Sequence, residues 1–175
     1  AVVVVVAADR YWPSTAAPGQ APAVAGTASP AAGTAAPETS GVEARSIAVL
    51  PFVNMSADPE QEFFSDGLSE EILNLLAQIR DLKVIGRTSS FAFKGRNEDL
   101  RTIGNTLGVA HLLEGSVRKA GNDLRITAQL IEVEGGSHLW SQTYDRKLEN
   151  VFAIQSEIAG AIAEALKVNL VGAGQ

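Results

Sequence analysis

The first half of the folded region alternates between strand-like and helix-like spacing of its apolar residues. Ile47–Leu50 is apolar at every position, which is typical of a strand that is covered on both faces. The next apolar positions have helical spacing and predict a helix that ends near Arg80. They are Leu68, Ile72, Leu75, Leu76 and Ile79. Leu82–Ile85 is strand-like again, so this region predicts a βαβ unit with parallel strands.

The second half combines a short helix, three strands and a long final helix. The apolar residues of Leu100–Leu107 have helical spacing, and Gly108 is expected to end that helix. Three strand-like runs follow, "VAHLLEGSVRK", "DLRITAQLIEV" and "HLWSQTYD", and their short connections predict an antiparallel meander. A final amphipathic helix is expected over Asn150–Val168, with Asn150 as its N-cap. The sequence therefore predicts an α/β (α+β) fold, a single mixed β-sheet with the order βαβαβββα and helices packed on the sheet.

The start of the first helix raises the question of a phosphate site. Asp58 is the expected N-cap, Pro59 the first helical residue, and Gln61 is placed to complete a capping box. A strand, a turn and a helix in this order resemble a phosphate-binding loop, but "FVNMSADPEQ" contains neither glycine nor lysine. Asp58, Glu60 and Glu62 would also repel an anion at the helix N-terminus. We therefore expect no phosphate site there.

The N-terminal part of the chain differs from the rest in composition. Ala1–Ala8 is apolar but far shorter than the roughly 20 residues that cross a bilayer. Because the charged and aromatic "DRYWP" follows it, we interpret residues 1–12 as the C-terminal end of a truncated transmembrane helix with its interface. A signal-peptide core and a buried strand are the alternatives. Residues 13–44 are rich in Ala, Pro, Gly, Ser and Thr and predict a disordered tether. The folded domain is expected over 45–170, and 171–175 would begin a linker to a further C-terminal region.

Composition excludes several classes of function. With 175 residues, the chain has room for one ordinary core. A net charge of -6 excludes the broad basic surface that direct nucleic-acid binding requires. The absence of cysteine excludes disulfides, thiolate metal sites and thiol catalysis.

Catalytic chemistry has no visible motif in the sequence. His111 and His138 are far apart, and no third ligand accompanies them at metal-site spacing. The serines lack a nucleophile elbow or a neighbouring histidine. The prediction is therefore a domain without catalytic residues, metal or cofactor.

Two short segments are candidates for an interaction surface. One is the turn before the first helix, and the other is "RTSSFAFKG", in which two phenylalanines have basic neighbours. The candidate residues are Asn54, Met55, Ser56, Arg87, Phe91, Phe93 and Lys94. The phenylalanines would serve either as aromatic anchors with a basic rim, or as core residues that cover the edge of the sheet.

Several motifs in order resemble the TolB amino-terminal-like domain. They are the stretch from "SIAVLPFVNMSADPEQEFF" to "VIGRTSSFAFKG", then "DLRTIGNTLGVAHLLEGSVRK", "LRITAQLIEVEGGSHLWSQTYDR" and "VFAIQSEIAGAIAEAL". Similar domains occur in CadC-type transmembrane regulators, in membrane proteins associated with adenylate cyclase or tetratricopeptide repeats, and in FlgO-like relatives. The resemblance implies a cytoplasmic DNA-binding, cyclase or kinase part, one membrane span, and this domain outside the membrane, commonly with tetratricopeptide repeats after it. It implies no catalytic residues.

These observations give one leading hypothesis and two alternatives. The leading hypothesis is a non-enzymatic, extracytoplasmic sensory or protein-interaction module of a single-span bacterial inner-membrane protein, with this domain in the periplasm. Its expected partners are its own C-terminal repeats, periplasmic proteins or a second copy in a homodimer. The alternatives are a soluble nucleotide-binding or enzymatic α/β domain, and a docking domain for the repeats.

Overall fold

A six-stranded mixed sheet with helices on both faces forms the part of the chain that the structure describes, residues 42–172 of a computed structural model. The strands are β1 (Ser46–Val49), β2 (Val53–Asn54), β3 (Lys83–Val84), β4 (His111–Ala120), β5 (Asp123–Glu132) and β6 (His138–Lys147). The helices are α1 (Gln61–Ala77), α2 (Arg87–Phe91), α3 (Leu100–Leu107) and α4 (Val151–Val171).

The strand order is β3-β1-β4-β5-β6, and β2 pairs with β4 beyond the end of β1. β1 is parallel to both β3 and β4, whereas β4, β5 and β6 form an antiparallel meander. The predicted fold class is confirmed: one mixed sheet contains both the parallel unit and the meander, and helices pack on it.

The main core lies between one face of the sheet and the helices α1 and α4. Ile47 and Val49 of β1 are fully buried there, because α1 and α4 pack side by side over this face. The two helices are joined by Gln155, whose Nε2 donates to the carbonyl oxygen of Phe64 at 3.0 Å.

A second, smaller core lies on the opposite face under α3. It contains Ala48 of β1 and Leu50 directly after β1, together with Ile103 of α3 and Leu112 of β4. β1 is therefore covered on both faces, as its uninterrupted apolar sequence predicts. This second cover extends over β1 and the beginning of β4 only.

The start and end of α1 differ from the prediction. The helix begins at Gln61, because the Asp58 carboxylate accepts from the Glu60 N-H (3.0 Å) and from Gln61 Nε2 (3.3 Å) in a tight turn before it. Pro59 lies in that turn, so the predictions of an Asp58 N-cap and a first helical Pro59 were wrong by two residues. At the other end, α1 stops at Ala77, three residues before Arg80.

Other differences concern short elements. Neither β2 nor α2 is evident in the sequence pattern, because both are short. β2 has two residues and forms through its pairing with β4, and α2 has five residues.

The predicted end of α3 and the predicted N-cap of α4 are confirmed. Gly108 ends α3 in a left-handed conformation (φ 67°). Asn150 Oδ1 accepts from the Ala153 N-H (3.1 Å) at the start of α4, which continues to Val171.

The predictions for residues 1–12, for most of the tether at 13–44 and for the end of 171–175 lie outside the described residues. Among the helices of 42–172, none is both long enough and apolar enough to cross a membrane.

Candidate interaction surface

Two of the three candidate residues before α1 are used inside the domain. Asn54 Nδ2 donates to the carbonyl oxygen of Asp58 (2.9 Å), and Asn54 Oδ1 accepts from the Ser56 N-H (2.9 Å). Ser56 Oγ in turn accepts from the N-H of Lys119 on β4 (2.7 Å). These bonds fix the connection between β2 and α1. Met55 differs from its neighbours, because its side chain is 54% exposed.

The two basic candidates pair with acidic residues of α1. Lys94 Nζ lies 2.6 Å from Asp66 and 2.7 Å from Glu62. Arg87 Nε lies 3.2 Å from Glu70, which extends this row of carboxylates along the helix. Burial acts to lower the pKa of Lys94, but its bonds to Asp66 and Glu62 outweigh burial and hold that pKa above its ordinary value. The predicted basic rim is therefore neutralised within the domain.

The two phenylalanines have separate environments. Phe91 is half-buried, and the Arg87 guanidinium lies 4.5 Å from the centre of its ring. Phe93 packs against the second core under α3, and Arg96 lies 5.8 Å from its ring centre. Phe93 is therefore partly a core residue, which is one of the two roles predicted from the sequence. Both phenylalanine rings remain partly exposed.

Beyond the second core, one half of the sheet has no helix over it among residues 42–172. We call this half the open sheet face. Its side chains are the alternate residues of β2, β4, β5 and β6 that point away from α1 and α4, together with Met55 directly after β2. They are Val53, Met55, Glu114, Ser116, Arg118, Ala120, Asp123, Arg125, Thr127, Gln129, Ser141, Thr143, Asp145 and Lys147.

The register places these side chains in rows across the sheet. One row runs from Val53 to Ser116, Thr127 and Thr143, and the two threonine hydroxyls lie 3.4 Å apart. Val53 is 60% exposed, so each of the first two rows begins with an apolar side chain at the edge, Val53 in one and Met55 in the next. The open sheet face therefore combines a centre of hydroxyl groups with an apolar border at Val53 and Met55.

Charges of both signs lie on the open sheet face. Arg125 and Asp145 form a two-bond ion pair across β5 and β6, with Nε to Oδ1 at 2.7 Å. Hydrogen bonds from Arg125 hold the pKa of Asp145 below its usual range. Arg118 lies directly opposite Arg125, and because Arg125 is already paired with Asp145, this row carries one unbalanced positive charge.

A groove of about 390 Å³ joins the open sheet face to the segment after α2. Val53, Phe93 and Lys94 line it, with Glu114 at its side. Burial raises the pKa of the Glu114 carboxyl, and the nearby charge of His138 opposes that shift in part. The structure thus brings Phe93 and Lys94 together with Val53 rather than with Asn54 or Ser56.

Sequence reasoning missed most of the open sheet face. Ser116, Thr127 and Thr143 belong to the runs that it assigned to strands, and their alternation with buried residues is visible in the sequence. The missing information was which strands α3 covers.

The described residues contain no cluster of three or more acidic or histidine side chains that could hold a metal ion. At the start of α1, the Asp58 carboxylate accepts from the Glu60 N-H and from Lys119 Nζ (2.9 Å). The bond from Lys119, followed by that from Glu60, holds the pKa of Asp58 below its usual range. An ionised carboxylate therefore lies in the turn directly before α1.

Comparison with known proteins gives one sequence relative. No family model matches the chain. A protein of Rhizobium meliloti (strain 1021) named "Putative adenylate cyclase 3" is 53% identical over 125 residues, which are 71% of this chain. The matched part spans only 21% of that protein.

Two solved structures share the fold at low sequence identity. TolB from Acinetobacter baumannii has a TM-score of 0.54 and 14% identity, with 74% of this chain and 29% of that chain covered. Lipoprotein GNA1162 from Neisseria meningitidis has a TM-score of 0.52 and 17% identity, with 70% of this chain and 96% of that chain covered. The chain therefore has a fold that is found in part of TolB and in nearly the whole of this lipoprotein, which confirms the resemblance to TolB at the level of the fold.

Proposed function

We propose that the chain is an extracytoplasmic sensory or protein-interaction module of a single-span bacterial inner-membrane protein, located in the periplasm and without catalytic activity of its own. The observation that carries this proposal is the open sheet face. Its hydroxyls, its paired and unpaired charges and its exposed Val53 and Met55 suit contact with another protein. We infer that the partner is a periplasmic protein or repeats that we propose for the parent protein.

The relative from Rhizobium meliloti supports an accessory role. Its name assigns a cyclase to a protein of which the matched region is about a fifth. We infer that a catalytic centre of that kind lies in the remaining four fifths of that protein. We propose the same division of labour in the parent of this chain, with a CadC-like order of output part, membrane span and this domain.

The membrane topology can be tested in the full-length parent protein. Alkaline phosphatase fused after Gln175 should be active, because it folds only outside the cytoplasm. β-Galactosidase fused at the same residue should be inactive. The reverse pattern would place the domain in the cytoplasm and contradict the proposed location.

Nucleotide binding is the competing function, and the name of the relative favours it. ATP and GTP, each with Mg²⁺ or Mn²⁺, should leave the thermal unfolding of the chain unchanged. A real site would stabilise the fold by about 2.7 kcal/mol at a ligand concentration of 100 times Kd. A shift that depends on concentration with one nucleotide would replace the proposal by the enzymatic alternative.

A further inference from the structure

The outer edge of β6 is a long strand edge without a neighbour among the described residues. β6 has ten residues and pairs only with β5. Such an edge presents unpaired N-H and C=O groups, which soluble proteins usually protect with proline, bulges or charges. β6 has an irregularity opposite Leu130 and Ile131, and three charged residues, Asp145 to Lys147, lie at its end. From Ser141 to Lys147 the strand is regular and contains no proline, and its first four residues are uncharged.

The hydrogen bonds identify which backbone groups of β6 face outward. The N-H of Leu148 donates to the carbonyl oxygen of Asn122 at 2.9 Å, in the register that pairs Asp123 with Lys147. In an antiparallel pair, alternate residues direct both groups to the same neighbour. The even-numbered residues of β6 therefore bond to β5. Ser141, Thr143 and Asp145 direct their N-H and C=O groups to the free edge, as does Lys147.

We propose that this edge binds a second copy of the chain, with two β6 strands antiparallel about a two-fold axis at Tyr144. In this register Thr143 lies opposite Asp145 of the second copy, and Ser141 lies opposite Lys147. About six backbone hydrogen bonds would form, because the Lys147 carbonyl already accepts from the Glu149 N-H. The two open sheet faces would become continuous.

The sequence of β6 favours this partner and this register. Asp145, Arg146 and Lys147 each lie opposite an uncharged residue of the other copy, so no like charges meet. A register centred one or two residues later would place Asp145 opposite Asp145, or Arg146 opposite Arg146, which is destabilising. A shift in the other direction would bring the irregular part of the strand, near Leu139, into the pairing. The register at Tyr144 uses the whole regular stretch.

The flank of α4 above the β6 edge would face the second copy. Arg146 on β6 pairs with Glu157 on α4 at 2.6 Å, which identifies this flank. Ala161, Glu164 and Val168 follow Glu157 at helical spacing, and Val168 is 55% exposed. The flank is therefore mixed in size and charge, and the two α4 helices would approach each other most closely at Ala161.

Opposite charges at Ser141 test the register. Ser141→Lys places a lysine opposite Lys147 of the other copy at two symmetric positions. Because Lys147 is also paired with Asp123 of its own copy, the dimer should weaken about threefold. Ser141→Glu places a carboxylate there and should tighten it. The matched control is Gln129→Lys. Gln129 lies opposite Ser141 on β5, so this substitution adds the same charge one strand away from the edge. The dimer Kd of the 175-residue chain would be measured by sedimentation velocity at low salt.

The expected result is a wild-type dimer, opposite shifts in Kd for the two Ser141 variants, and no shift for Gln129→Lys. The opposite shifts should shrink in about 0.5 M salt, because exposed charges are screened. Hydrogen exchange should show that the Thr143 and Asp145 amides become protected as the dimer forms. A wild-type chain that stays monomeric, or equal shifts for both Ser141 variants, would overturn the proposal. The result does not depend on membrane topology or on a partner at the open sheet face, so the two proposals fail separately.

Discussion

Gly115 on β4 illustrates how a single residue fixes the packing of the core. A Cβ atom at this position would lie 2.4 Å from the Phe52 ring and 2.4 Å from the Thr127 carbonyl oxygen. Phe52 is almost fully buried and follows Pro51, where the chain leaves β1. The ring lies across the strand where only a glycine leaves space for it. The strand assignment of Gly115 could be predicted from its neighbours, but its contact with Phe52 depends on the tertiary fold.

Gly115→Ala should therefore destabilise the domain by about 1–3 kcal/mol, as overpacking of a core does. The control is Gly160→Ala on α4, where an added Cβ meets no atom within 4 Å. That change should stabilise the domain by about 0.5–1 kcal/mol through helix propensity. Urea unfolding followed by circular dichroism measures both effects, and equal free energies of unfolding for the two variants would contradict this packing.

Glu114 is expected to make stability depend on pH. Burial raises the pKa of this carboxyl above its ordinary value of 4.5, so the fold favours the protonated form. The stabilisation of the fold by the protonated Glu114 carboxyl is present below pH 4.5 and is lost as the pH rises through the pKa of the folded state. Glu114→Gln should therefore have a larger free energy of unfolding than wild type at pH 7.5 but not at pH 4. The same difference at both pH values in urea unfolding would show that Glu114 is not desolvated.

At the scale of elements, the sequence correctly predicted the helix caps that depend only on residues nearby in the chain. Asn150 and Gly108 cap their helices as expected, because each acts on the backbone of its own helix. Asp58 does not cap its helix as expected, and its carboxylate binds Lys119, which is 61 residues later in the chain. The short strand β2 was missed for a similar reason, since its partner on β4 lies more than 60 residues later in the chain.

Removal of the α4 cap gives a prediction at this scale. Asn150→Ala should destabilise the domain by about 1 kcal/mol, because the Ala153 N-H loses its acceptor. Asn169→Ala, in the last turns of the same helix, is the control and should be neutral or slightly stabilising. Thermal unfolding compares the two variants. If both lower Tm equally, the Asn150 side chain is not acting as a cap.

At the scale of the whole molecule, the proposed function depends on helices covering one face of the sheet fully and the other face only in part. α1 and α4 cover one face, whereas α3 covers only the part of the other face near β1. The order of elements could be predicted, but the extent of cover depends on where α3 docks. The candidate site was predicted only in part for that reason. Phe93, Lys94 and Met55 border the open sheet face, whereas Asn54, Ser56 and Arg87 hold the domain together.

Site-specific photo-crosslinking in living cells tests the central claim most directly. A photoreactive amino acid would replace Met55, at the border of the open sheet face, in the full-length protein. The control position is Asn74, which is exposed on α1 away from that face. The account predicts a crosslink to another protein, or to a following segment of the same chain, from position 55 and none from position 74. The absence of any crosslink at position 55, or the same products from both positions, would contradict it.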